Sequence, residues 1–212
     1  DGILDQKSNN FLASVFNIKN KYGIALFDIS TGELLISDGT LDHVKNLLSN
    51  YEAKEVLVCK KNKSTFVDEF GKYSSTFYLD DWVFGKDFSI EKIKSHFNVN
   101  SLKGFGIDEN NVGILACGSI LHYLDETQHK QLAHITKINQ IIDNTYVWMD
   151  QFTVSNLELI QSNSKEGKSL IEIIDHTSTP MGARKLKRWL IHPLLDINQL
   201  NFRHNTIEEI LN

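Results

Sequence analysis

One stretch, Tyr22-Gly23-Ile24-Ala25-Leu26-Phe27-Asp28-Ile29, constrains the fold more than any other. Its apolar residues fall on both parities, so a strand here buries both faces and lies inside a sheet covered on two sides. Ser30-Thr31-Gly32-Glu33 supplies a turn, and Leu34-Leu35-Ile36 returns as the hairpin partner. Leu41, Val44, Leu47, Leu48 and Tyr51 recur at spacings of three and four, which predicts a helix. Glu55 to Cys59 reads as a short buried strand, 64–70 as a helix and 76–79 as a strand. Ser89 is the expected N-cap of a helix whose apolar face is Ile90, Ile93 and Phe97. Residues 102–107 read as a further strand. Asp108-Glu109-Asn110-Asn111 then offers capping oxygens to a helix over 112–128. Gly113, Ala116, Gly118 and Ser119 would let that helix lie close against a sheet. Each glycine costs a helix roughly 1 kcal/mol relative to alanine, so a packing reason is expected.

After about Asn139 the character changes. Thr145-Tyr146-Val147-Trp148-Met149 leans toward β structure, and helical patterns run from there to the end. One predicted helix contains Asn156, Leu157, Leu159 and Ile160; a second contains Leu170, Ile171, Ile173 and Ile174. Thr179-Pro180 starts a third, since threonine caps and proline is tolerated at the first helical position. That helix presents Leu186, Trp189 and Leu190 on one side and Arg184, Lys185, Lys187 and Arg188 on the other. His192-Pro193 ends it, because proline pushes its predecessor out of the helical region. The expectation is an α/β domain over 1–140 followed by an incomplete all-α segment over 141–212. The first residue is not methionine, and no stop signal follows Ile207, Ile210 and Leu211, so a piece of a longer protein is expected.

The 212 residues are 41% hydrophobic and 23% charged, which excludes a disordered chain. No run approaches the roughly 18–20 apolar residues of a membrane span, and no export signal is present, so the cytosol is the expected compartment. Cys59 and Cys117 sit in apolar runs as small core residues. A net charge of −5 argues against a domain that grips nucleic acid mainly by phosphate neutralisation. The cluster Arg184, Lys185, Lys187 and Arg188 is the one place where a phosphate contact is conceivable. Asp28, inside an apolar strand, is placed as a metal carboxylate would be, and Asp108 at a strand end is a second candidate. Two-metal nucleases need several converging carboxylates, and a third and fourth are not found; a hydrogen-bonding role for Asp28 in its turn is the simpler reading. His122, His129 and His134 lack the i, i+4 spacing of helical metal ligands. Gly104-Phe105-Gly106 lacks the further features of a phosphate-binding loop.

Several of these stretches resemble the MutS family of DNA mismatch repair proteins, in order and at compatible spacing. Gly23 to Gly32 is similar to the opening strand of its connector domain. Leu102-Lys103-Gly104-Phe105-Gly106 and the helix ending in Tyr123-Leu124-Asp125-Glu126-Thr127-Gln128 are similar to its later part, and His134-Ile135 with Met149-Asp150 to the junction that follows. The most specific run is Leu170 to Pro193, with Ile174-Asp175-His176-Thr177, Thr179-Pro180-Met181-Gly182-Ala183-Arg184 and Arg188-Trp189-Leu190 in succession. The resemblance implies a ribonuclease H-like connector domain without nuclease residues, followed by the first helices of a core, or lever, domain. It implies no catalysis and no cofactor in this chain, with ATP and magnesium used elsewhere in a homodimeric parent that binds mismatched DNA. It also implies a surface for a MutL-like protein on the 89–97 helix, at Glu91, Lys92, Lys94 and Ser95; reversing Lys92 and Lys94 to Glu is the test it points to. The alternative is a metal-dependent ribonuclease H-like nuclease using Asp28.

Overall fold

The computed structural model describes residues 10–73, 75–127, 135–141, 146–147 and 149–211. It divides into two compact units, one over 9–141 and one containing 142–212 together with 1–8.

The first unit is built on a six-stranded mixed sheet. Strands β1 (Phe11–Ile18), β2 (Lys21–Asp28) and β3 (Glu33–Gly39) form an antiparallel meander. Strand β4 (Glu55–Cys59) joins β1 in parallel, and β5 (Thr76–Leu79) joins β4 in parallel. A short β6 (Ile138–Gln140) lies parallel to β3, giving the order β5-β4-β1-β2-β3-β6. The doubly apolar strand is therefore central, as expected. Ala25 and Phe27 of β2 face one core with Leu12, Leu57, Ile114 and Ile120, while Ile24 and Leu26 face another with Val44, Leu47, Leu48 and Phe66.

Helices α1 (Leu41–Asn50) and α2 (Lys63–Phe70) cover the second face. Thr40 caps α1 by accepting a hydrogen bond from the His43 N–H at 3.3 Å. Helices α3 (Lys86–Phe97) and α4 (Gly113–Thr127) cover the first face. The glycines of α4 have the packing reason their cost requires. A Cβ on Gly23 would stand 2.4 Å from the Val112 carbonyl carbon, and one on Gly113 would stand 2.6 Å from the Ser37 carbonyl oxygen, so β2 and β3 meet the start of α4 through backbone alone. Gly118 meets Ser89 of α3 rather than the sheet, with a Cβ there 2.5 Å from the serine's. Ser119 is the residue that reaches the sheet, its hydroxyl 2.7 Å from that of Ser14.

Four sequence expectations are corrected. Residues Phe11–Ile18, to which no element was assigned, form β1. Leu102–Phe105 is a 3-10 turn and not a strand: the Ser101 side chain caps it and Gly106, at φ 71°, ends it in left-handed backbone, which breaks an extended run. Ser89 does not cap α3. The helix begins one turn earlier, with Gly85 at the N-cap and the Ser89 N–H donating to the Gly85 carbonyl at 2.9 Å.

The fourth correction lies in the second unit. Helix α5 (Gln151–Asn156) stops before Leu159 and Ile160, because Glu158 turns left-handed at φ 48°. The carbonyls of Glu158 and Leu159 then accept the first N–H groups of α6 (Leu170–Ile174), at 2.9 and 3.0 Å. Helix α7 (Pro180–Ile191) starts as its sequence dictates: the Thr179 hydroxyl accepts from the Gly182 N–H at 3.1 Å and Pro180 follows the cap. It ends before Pro193, and α8 (Ile197–Leu211) follows. Tyr146 forms an isolated bridge to Leu194. The rest of the β-leaning stretch at Thr145 and Trp148, and His129 and His134, lie outside the described residues. No helix among the described residues is long and apolar enough to cross a membrane.

Candidate interaction surfaces

Helix α3 packs against α4 through Ile93, which is fully buried, with Ile90 and Phe97 beside it. The four residues expected to form its outward face divide into two kinds. Glu91 and Ser95, one turn apart, are exposed. Lys92 and Lys94 are half-buried and paired within the unit: the Lys92 ammonium meets the Asp125 carboxylate on α4, and Lys94 lies 3.7 Å from a Glu109 oxygen. Pairs this exposed stabilise a fold by about 0–1 kcal/mol at most. Reversing either lysine would nevertheless set a carboxylate against a carboxylate, so such variants perturb the α3–α4 contact as well as the surface.

The cations of α7 do not form one uniformly solvated face. The Lys185 ammonium lies 5.6 Å from the centroid of the Trp189 ring, and the guanidinium of Arg203, from α8, lies over the same ring at 4.4 Å. None of Arg184, Lys185, Lys187 and Arg188 is without an interaction inside the protein.

Asp28 ends β2 with its side chain fully buried. One carboxylate oxygen accepts the Ser30 N–H at 2.9 Å and the other accepts the Thr31 hydroxyl at 3.0 Å. Its carbonyl accepts from the N–H groups of Thr31 and Gly32. The carboxylate thus builds the β2–β3 turn, as the simpler reading holds. Replacing Asp28 by Ala is expected to cost about 1–3 kcal/mol, since two donors lose their acceptor, whereas Asp28→Asn keeps one acceptor oxygen and costs less; chemical denaturation of the three proteins measures the difference. Asp108 likewise serves its own turn, accepting from the Asn110 N–H at 2.9 Å. His122 sits edge-on to the rings of Trp82 and Phe88, at 5.0 and 5.6 Å, with its Nε2 3.4 Å from Glu126. Both cysteines are buried. Burial, with the Asp81 carboxylate beside it, pushes the Cys59 thiol up to about 11, and burial alone pushes Cys117 higher, as small core residues require.

Sequence reasoning passed over the aromatic side chains at the sheet edge, Phe77 and Trp82, which the structure leaves 41% and 56% exposed. The signal was an aromatic pair embedded in a short strand and an acidic turn, a pattern that a buried element would show equally.

Residues 10–136, which include strands β1 to β5 and helices α1 to α4, match the sequence model of MutS domain II. The chain belongs to the MutS family. Residues 152–212, helices α5 to α8, match MutS domain III. Curated relatives carry the name DNA mismatch repair protein MutS: that of Cytophaga hutchinsonii is 48% identical over 98% of this chain, that of Flavobacterium psychrophilum 47% over 98%, and that of Bacteroides fragilis 48% over 98%. In each case the chain spans 24% of the relative's length. This is MutS connector and core sequence, and the turn-building role of Asp28 belongs to a MutS domain II.

Proposed function

We propose that this chain is the non-catalytic connector and lever portion of a mismatch repair ATPase. It links a mismatch-binding region to the ATP-driven core, passes conformational change between them and presents a surface to a MutL-like partner. The observation that carries the reading is the succession of MutS domains II and III along one chain. A ribonuclease H-like architecture for the first unit is supported by the antiparallel meander β1-β2-β3 with β4 and β5 added in parallel beside β1. The proposal assigns no ATP or magnesium site to this chain, where Asp28 and Asp108 serve their own turns. Nucleotide chemistry, mismatched DNA and homodimerisation therefore belong to the whole protein in this proposal, in the cytoplasm, with Arg184, Lys185, Lys187 and Arg188 as its remaining candidates for a phosphate contact.

Glu91 and Ser95 give the cleanest test of the MutL surface, because both are exposed and neither carries an ion pair among the described residues. Replacing both with Arg in the full-length protein is expected to weaken MutL recruitment to mismatched DNA about tenfold by charge and bulk at the contact, with mismatch affinity unchanged. Pull-down on immobilised mismatched duplex measures both, and undiminished recruitment removes the α3 face from the proposal.

A further inference from the structure

Strand β6 is three residues long and ends immediately before Ile141, the last residue of the first compact unit. Its ladder pairs Ile138, Asn139 and Gln140 with Leu34, Leu35 and Ile36 of β3. Few backbone bonds hold a ladder this short, and segments held by few bonds are the ones that open locally. Side chains supply the rest of the attachment. Ile135 and Ile138 are buried in the core beneath α3 and α4, whereas Ile141 packs against the core of the other face. At the start of this segment the His96 ring of α3 donates from Nε2 to the Ile135 carbonyl at 3.1 Å.

The end of the segment is tied from α1. The Ile141 N–H donates to the Ile36 carbonyl at 2.8 Å, and the Ile141 carbonyl accepts from the Ser37 hydroxyl at 3.0 Å. Ser37 is 2% exposed, and its oxygen lies 2.8 Å from Nε2 of His43, which is buried on α1. A hydroxyl has one hydrogen to give. Given to the carbonyl, it leaves the serine oxygen to accept from the His43 Nε2–H, so the network assigns the histidine's tautomer. The histidine is held in turn. Its backbone N–H donates to the Thr40 hydroxyl at the cap of α1, and a Cβ on Gly39 would stand 3.0 Å from Cδ2 of its ring. Ile141 is thus gripped by both of its backbone groups, and through Ser37 it is joined to α1.

We propose that Ser37 and His43 form a latch on Ile141 that keeps β6 in the sheet, so that displacement of the chain beyond Ile141 is delivered to β3 and α1 instead of peeling β6 away. The delivery of displacement rests on the transmission role proposed above; the latch does not. Two readings on the full-length protein test it: amide hydrogen exchange over 135–141, followed by mass spectrometry, and the rate of ATP-triggered release from mismatched DNA. Ser37→Ala removes the hydroxyl that joins two polar groups. Exchange over 135–141 should rise about tenfold or more, with the amides of the β1–β2 ladder protected as in the parent. Release should slow about threefold or more. His43→Leu should act in the same direction, whereas His43→Gln, whose side-chain amide can still donate, should restore most of the protection. Unchanged exchange over 135–141 in Ser37→Ala and His43→Leu overturns the latch, whatever the protein's function. An equal rise across β1 and β2 also overturns it, because the pair then supports the whole sheet and not this strand. Raised exchange with parental release overturns the delivery of displacement. Leu186→Pro, which leaves the latch intact, then separates the two ideas: if it slows release, only the latch's role fails, and if it does not, the proposed function fails with it.

Discussion

Gly118→Ala is expected to destabilise the α/β unit even though alanine is the better helix former. The exchange gains up to about 1 kcal/mol of helix propensity in α4. Against this, the new Cβ would stand 2.5 Å from the Ser89 Cβ and 2.6 Å from its Cα, and a backbone atom cannot swing aside as a flexible side-chain tip can. Helix α3 must retreat, loosening the contact that buries Ile93 and Leu102. Overpacking of this kind costs about 1–3 kcal/mol, and more for Gly118→Val, which adds two further carbons. The valine variant should therefore unfold about 5–10 °C below the parent, with alanine in between. Pairing Gly118→Ala with Ser89→Gly removes the collisions with the serine's Cβ and Oγ, leaves the one with its Cα, and should recover part of the loss. Thermal unfolding followed by circular dichroism measures the series, and a Gly118→Ala protein more stable than the parent contradicts the close α3–α4 crossing.

The second large effect concerns α7. On the proposed lever role, Leu186→Pro in the full-length protein should slow ATP-triggered release from mismatched DNA by about tenfold, the size of a typical coupling between sites. Proline at 186 removes the N–H that donates to the Gly182 carbonyl, and its ring clashes with that carbonyl, at a cost of about 3 kcal/mol or more. The helix then kinks between its two buried contacts, Ala183 and Ile191, and no longer moves as one body. Leu186→Ala, which shortens the side chain while keeping the helix, is the control and should release DNA normally. Stopped-flow fluorescence on labelled duplex reads the rate, and normal release by the proline variant contradicts the lever role.

What the sequence discloses here is what local chemistry decides. The β2–β3 hairpin is written in two apolar runs around Ser-Thr-Gly, and α7 in Thr-Pro at its start and His-Pro at its end. The glycines of α4 announce a close approach, though only the fold shows that Gly23 of β2 answers Gly113 while Ser89 of α3 answers Gly118. Where distant partners decide, local reading failed. Leu102 and Ile107 are apolar because both plug the α3–α4 core, not because they alternate along a strand. Ser89 resembles an N-cap but is a small residue at a helix crossing. Lys92 and Lys94 read as a free surface until Asp125 and Glu109, far along the chain, arrive beside them. Strand β1 carries Ala13, Ser14 and Asn17, weak strand formers in isolation, and is held by its ladders to β2 and β4.

The same distinction decides between a passive joint and a nuclease, since an aspartate inside an apolar strand fits either until its partners are seen. Incubating the chain with duplex DNA, single-stranded DNA and RNA–DNA hybrid in the presence of magnesium or manganese tests this directly. The account predicts no cleavage above that of Asp28→Asn, because the Asp28 carboxylate is occupied by Ser30 and Thr31. Cleavage by the parent chain that Asp28→Asn abolishes would contradict it.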